Sequence, residues 1–299
     1  MSDMLEVWKH NHPMITLDNA VNTQTRESLV RYYSEAGPDY AAWSPNFNMH
    51  FGYWAWGVNP LNREAMLERA NAEVARRFGF DGQPRHIVDL GCGLGATARS
   101  ITRRYPQVRV TGVTIVPWQV EQARHLSSGA VEFVEEDYTA TTFPASTFDG
   151  AYSLESSCHA PGEDKAALIR EAYRILKPGA RLVVVDGFRK LDTPMSALVR
   201  RAYETICRCW VMEAAHLASF LRCLEETGFE DIQVADVSWR AAPSVAHVPW
   251  VSLRFLLREG RHGLNQQRRN NLLAPIVMLM LGMARHRFGY YHVSARKRI

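Results

Sequence analysis

Two blocks of this chain carry residues of the types that do chemistry. The first is Val88-Asp89-Leu90-Gly91-Cys92-Gly93-Leu94-Gly95. Glycine tolerates positive φ and lets backbone amides approach a ligand closely, so a strand running into this turn can cradle a nucleotide. The G-x-G-x-G spacing alone also fits dinucleotide sites. Asp89 sharpens it, because a carboxylate there attracts a cationic ligand group and repels a pyrophosphate. The second block is Tyr152-Ser153-Leu154-Glu155-Ser156-Ser157-Cys158-His159-Ala160-Pro161, which offers Glu155 and His159 as proton acceptors. His50 is a further base, and Tyr40, Trp43, Tyr53 and Trp54 present ring faces that can stabilise a positive charge. Each has a plainer reading. The histidines also fit structural hydrogen bonds, Glu155 a turn cap, and the aromatic block the core of a lid.

These residues can meet only if a scaffold brings them together, and the apolar periodicity describes one. Strands are expected over residues 86–90, 108–113, 131–135, 148–154 and 181–186, separated by helices at 96–104, 117–126 and 163–176. Strands alternating with crossover helices imply a parallel sheet, with ligands at the carboxyl ends of its strands. Ahead of it, Met66, Ala70, Val74 and Phe78 form a stripe at spacing four, started at Asn59-Pro60 and stopped by Gly79. A helix at 195–210 leaves the pattern, a helix at 214–226 and a strand at 232–237 rejoin it, and residues 288–295 read as a last strand. The expected division is therefore an N-terminal helical, aromatic lid (1–60), a Rossmann-like core (61–190), a lid insertion (191–212), core again (213–238), a second helical lid insertion (239–287) and the final core strand (288–299). The fold class is α/β: a doubly wound, seven-stranded, mostly parallel sheet with its last strand antiparallel.

On the glycine loop, Asp89 and this strand order, residues 85–237 and the last strand resemble class I S-adenosylmethionine-dependent methyltransferases. Most of that class carry an acid at the end of the second strand to hold the ribose. Here the place reads Gly112-Val113-Thr114-Ile115, similar to the sterol, tocopherol and cyclopropane fatty acid enzymes, in which Gln119 would serve the ribose. The resemblance implies S-adenosyl-L-methionine as cofactor, held by Asp89, Gly91, Gly93, Gly95, Thr114, Ile115, Gln119, Asp137, Tyr138 and Leu154, with Asp137 receiving the adenine amine. Asp137 also reads as a solvated loop carboxylate. The Asn48-Met49-His50-Phe51-Gly52-Tyr53-Trp54 block and the segment after the fourth strand look like the corresponding blocks of the same group, and Trp250 falls where those enzymes build part of the acceptor pocket. Catalysis would then rest on Glu155, His159 and His50, and acceptor binding on Tyr40, Trp43, Tyr53, Trp54 and Trp250.

The expected activity is methyl transfer to a lipophilic small molecule, foremost a carbon of an isoprenoid or sterol-like acceptor, with O- or N-methylation of a natural product as the alternative. A nicotinamide-dependent oxidoreductase is a remote third, disfavoured because Thr114 stands where a ribose-binding acid is needed and no Tyr-x-x-x-Lys pair follows. A diphosphate-bearing acceptor would draw on Arg261, Arg268 and Arg269. Composition sets outer bounds. With 299 residues, 46% apolar and 22% charged, the chain can bury a full core. Its longest apolar run, 272–284, is broken by Pro275 and Gly282 and too short to span a bilayer. The net charge of +4 forms no basic stripe for nucleic acid, and five cysteines without ligand spacing announce no metal. Without a leader-like start the expectation is a cytoplasmic protein, free to form a homo-oligomer.

Overall fold

The computed structural model describes residues 26–299 except positions 84, 128, 192, 261 and 262. The sheet runs in the order β3-β2-β1-β4-β5-β8-β7. It comprises β1 (Arg85–Leu90), β2 (Val108–Thr114), β3 (Val131–Glu135), β4 (Phe148–Leu154), β5 (Leu176–Arg189), β7 (Phe229–Asp236) and β8 (Phe288–Lys297). A two-residue β6 (Ala215–His216), which periodicity gives no sign of, pairs with the end of β5. β1 to β5 pair in parallel, and β8 lies antiparallel between β5 and β7. The chain reverses sides after β3, so β1 is flanked by β2 and β4 and its carboxyl end opens a crevice.

Both faces are covered, which explains the almost unbroken burial of β2 and β4. On one face α2 (Arg63–Phe78) and α3 (Ala96–Arg104) place Val74, Ala75, Ala98 and Ile101 against Ile87, Val110 and Val183. On the other, α5 (Ala166–Ile175) and α7 (Leu217–Thr227) press Leu168, Ile169, Phe220 and Leu224 onto Val88, Leu182 and Val293. The helix α4 (Pro117–Leu126) sets Val120 and Ala123 over Phe133. The expected start of α2 is corrected: Asn59-Pro60 forms a turn, and Asn62 is the cap, its Oδ1 accepting from the Ala65 amide at 3.0 Å.

Over the carboxyl ends of the strands sits a helical layer. It contains α1 (Arg26–Ala36) with a 3-10 turn (Gly37–Ala42), α6 (Ala197–Trp210), α8 (Ser238–Val245), α9 (Val248–Glu259) and α10 (Gln266–Met283). The part of the expected lid at residues 1–25 lies outside the described residues, as does Arg261. The two insertions pack together through Ala202, Ile206, Val277 and Leu281. The N-terminal piece is tied to α10 by Arg268, whose guanidinium grips Asp39 twice at 2.8 and 2.9 Å, and by Tyr32, which donates to Asn271 at 2.9 Å.

Candidate active site

The cleft at the switch point is built from the glycine loop outward. Gly91 and Gly93 both hold positive φ, +89° and +53°. A Cβ on Gly91 would stand 2.4 Å from that of Ser156, so the turn after β1 can lie against the start of the turn after β4 only without a side chain. Gly95 serves differently: it ends the loop at the start of α3, where a Cβ would strike Phe133 at 2.4 Å, and it does not line the cleft. Asp89, Gly91, Gly93, Thr114, Ile115, Gln119, Tyr138 and Leu154 all do line it, together with Glu155, His159 and His50. The Thr114 hydroxyl donates to the Gln119 Oε1 at 2.6 Å, so the last residue of β2 orients the first turn of α4. The Tyr138 hydroxyl donates to the Ser156 carbonyl at 2.7 Å. Asp137 departs from expectation: it is exposed, outside the cleft, and its carboxylate caps its own turn by accepting from the Thr139 amide at 2.8 Å.

Electrostatics single out Asp89. It is 3% exposed, accepts from the Tyr152 hydroxyl at 2.8 Å, and burial pushes its carboxyl up to about 7. A buried anion of this kind, facing a cleft with no cation of its own, fits the ammonium of an amino-acid nucleoside. Bare backbone at Gly91 and Gly93 leaves room for such a ligand, and Gln119 supplies a neutral amide where a ribose would need a donor. The donor set therefore fits S-adenosyl-L-methionine.

Beyond this cleft, and joined to it by Tyr33, Met49, His50, Glu155 and His159, lies a cavity of about 710 Å³. Its walls come from the helical layer: Tyr40 and Trp43, Tyr203 and Ile206 of α6, Val248, Val251 and Phe255 of α9, and Leu272, Met278 and Leu279 of α10. Of the expected acceptor aromatics, Tyr40 and Trp43 are on this wall and three are not. Tyr53 packs edge-on to His292 and beneath Arg240, and Trp54 is held by Arg240 and by its Nε1–H donating to the Val58 carbonyl. The chain turns outward after Gly52, where a Cβ would stand 2.6 Å from that of Met66. Trp250 points away from the cavity and is 60% exposed.

The neck between cleft and cavity holds the candidate acid–base groups. Glu155 sits at φ +50° directly after β4, a strained position for a residue with a side chain. Its Oε1 accepts from the Phe51 amide at 2.6 Å and from the Tyr290 hydroxyl at 2.5 Å. Burial pushes its carboxyl up to about 8, against the lowering effect of those two donors. The His159 Nδ1 lies 2.9 Å from the Val211 carbonyl, which can only accept, so Nδ1 carries the proton and Nε2 accepts from the Tyr33 hydroxyl at 2.9 Å. Burial lowers the imidazole to about 4 and keeps it neutral. His50 is buried with its ring nitrogens against the Phe51 carbonyl and the Asn48 side-chain oxygen, which ties it into the loop. Arg268, expected as a phosphate ligand, is neutralised on the cavity wall by Asp39 and Glu259.

Sequence reasoning missed Tyr33, Met49, Tyr152, Asp186 and Tyr290. Tyr33 and Tyr290 meet their partners across 126 and 135 residues, and nothing in local pattern signals them. Asp186, at the end of β5, is buried on the cavity wall and accepts from the Ser157 hydroxyl at 2.6 Å and the Cys158 amide at 3.0 Å, holding the turn that carries His159.

Comparison with known proteins agrees with this geometry. Residues 87–179 match the methyltransferase domain family. A 2-methyl-6-phytyl-1,4-hydroquinone methyltransferase of Synechocystis is 27% identical over 287 residues, covering 91% of this chain and 85% of the relative. An O-methyltransferase of Penicillium expansum is 33% identical over 201 residues, 66% of this chain and 70% of the relative. In fold, a cyclopropane synthase of Mycobacterium tuberculosis superposes with a TM-score of 0.74 at 15% identity, over 91% of this chain and 98% of its own. With its glycine loop, buried Asp89 and seven-stranded core in the expected places, the chain belongs to the class I S-adenosylmethionine-dependent methyltransferases.

Proposed function

We propose that this enzyme methylates a carbon of a large, lipophilic, isoprenoid-bearing acceptor. The observation that carries this is the apolar cavity of about 710 Å³ that opens onto the cofactor cleft through the Glu155–His159 neck. That volume sits in the range of pockets for drug-sized ligands, larger than a small polar metabolite requires. The phytyl hydroquinone enzyme, similar over nearly the whole chain, bears in its name an acceptor of this kind.

The bound cofactor supplies an electrophilic methyl group on a sulfonium, so the protein must align the acceptor in line with it and exclude water. The lid does the second: Tyr33, Met49 and Phe51 close the neck, and α9 and α10 roof the cavity. The groups at the neck suit a carbon acceptor. Attack by a carbon leaves a positive charge on the acceptor and a strongly acidic proton. The neutral Glu155–Tyr290 pair, the Tyr33 ring and His159 surround that charge, and a weak base suffices to take the proton. His159, held near 4 by burial, is poorly matched to deprotonating a phenol beforehand. Glu155, at about 8, is better matched, and this observation favours O-methylation of a phenol as the second reading.

The test is a series of hydroquinones with lengthening prenyl tails. The cavity predicts that kcat/KM rises by at least roughly tenfold for each isoprene unit until it is filled, given about 0.8 kcal/mol per buried methylene. A kcat/KM indifferent to the tail would refute a lipophilic acceptor.

A further inference from the structure

The helix α9 is apolar on two opposite sides. With about 100° between successive residues, Val248, Val251 and Phe255 fall on one side, and these line the acceptor cavity. Leu253 and Leu257 fall on the other with Trp250, 47%, 68% and 60% exposed. An amphipathic surface helix buries one stripe and shows polar residues opposite, so the outer stripe of α9 calls for a covering that the described residues of this chain do not supply. Arg254 borders that stripe and Arg258 lies about 40° further round; both are exposed, and Arg254 has no acidic partner among the described residues. The helix's one acid, Glu259, is drawn toward Arg268 and Arg258.

We infer that the outer face of α9 docks on an anionic phospholipid surface, with Trp250, Leu253 and Leu257 entering the interface and Arg254 and Arg258 meeting headgroup phosphates. Leucine and tryptophan flanked by arginine is the composition that lies in the plane of a bilayer interface, and no helix among the described residues is long and apolar enough to cross one. The opposite face of the same helix is cavity wall, so docking would set the acceptor cavity one helix thickness from the lipid. The inference takes its purpose from the proposed lipophilic acceptor, but its test does not depend on it.

The test is sedimentation with phosphatidylcholine vesicles, with and without phosphatidylglycerol. The full chain is expected to bind the anionic vesicles and to release in high salt. Leu253→Glu and Leu257→Glu should each weaken binding by about tenfold or more, and Arg254→Gln by about fivefold. All three should leave affinity for S-adenosylmethionine unchanged. Absence of vesicle binding, binding indifferent to the two glutamates, or light scattering in which Leu257→Glu turns a dimer into a monomer would overturn the inference, the last by making the face a contact between copies. Methylation of detergent-dispersed acceptors by the same variants separates the two proposals. If no lipophilic acceptor is methylated, the substrate assignment falls while the vesicle result stands.

Discussion

Among single residues, Asp89 is the proposed anchor of the cofactor's ammonium, and its burial makes the proposal testable by pH. Its carboxyl, held at about 7 by burial, is largely protonated at mildly acidic pH, whereas a cationic ligand binds the ionised form. Affinity for S-adenosylmethionine should therefore strengthen as pH rises through about 7, by up to tenfold per unit below it, with proton release visible as buffer-dependent heat in calorimetry. Asp89→Asn should bind weakly with no such slope. In the free enzyme the sign is opposite. Asp89 and Glu155 keep protons that the unfolded chain has lost, so stability should fall between about pH 6.5 and 8. Below 6.5 the neutral His159 adds a slope the other way, because the unfolded chain takes up a proton there. Thermal midpoints across pH check this, and Glu155→Gln should flatten the upper limb. For turnover, Glu155→Gln and His159→Ala should both lower kcat while sparing cofactor affinity, His159→Ala by roughly 10²-fold or more, the usual scale for a positioned proton acceptor. Retained turnover in either would remove that residue from the mechanism. The position of Asp89 in the cleft was legible in the sequence because it follows from its neighbours in the chain. For Asp137 the sequence left two readings open, because a carboxylate two residues before a threonine can also cap its own turn, as it does here.

At the scale of elements, the turn after β1 and the lid are the parts that single changes would disturb. Gly91→Ala places a Cβ into that of Ser156 in a left-handed conformation, and about 2–4 kcal/mol of stability should be lost in denaturant titration, with cofactor binding. Arg268→Ala leaves Asp39, with its side chain 9% exposed, without its partner. It should loosen α1 and α10 by about 2 kcal/mol, seen as faster amide exchange in those helices with the sheet unchanged. Core strands and helices were readable because each must show a regular apolar face to the sheet. Termini were less so: Asn59 and Asn62 are both competent caps, and only the packing of α2 on the sheet decides for Asn62. The inner faces of α9 and α10 were unreadable as cavity wall, since an apolar run looks the same whether it faces core, ligand or membrane.

As a whole, the molecule is a Rossmann-like sheet whose cleft opens into a hydrophobic chamber, with Glu155 and His159, the proposed reacting groups, at the neck between them. In the proposed account Asp89 holds the cofactor, and the chamber selects the acceptor by size and apolarity. Which atom is methylated depends on the neck, where contacts from α1, the His50 loop, β4 and β8 converge; sequence pattern could not show it because the contacts span most of the chain. The most direct measurement is to supply S-adenosylmethionine carrying a ¹³C methyl group together with a prenylated hydroquinone, and to locate the label in the product by NMR. The arrangement at Glu155 and His159 predicts the label on a ring carbon, and transfer that persists when both hydroxyls are blocked. A label found only on oxygen, with no transfer to the blocked compound, would contradict it.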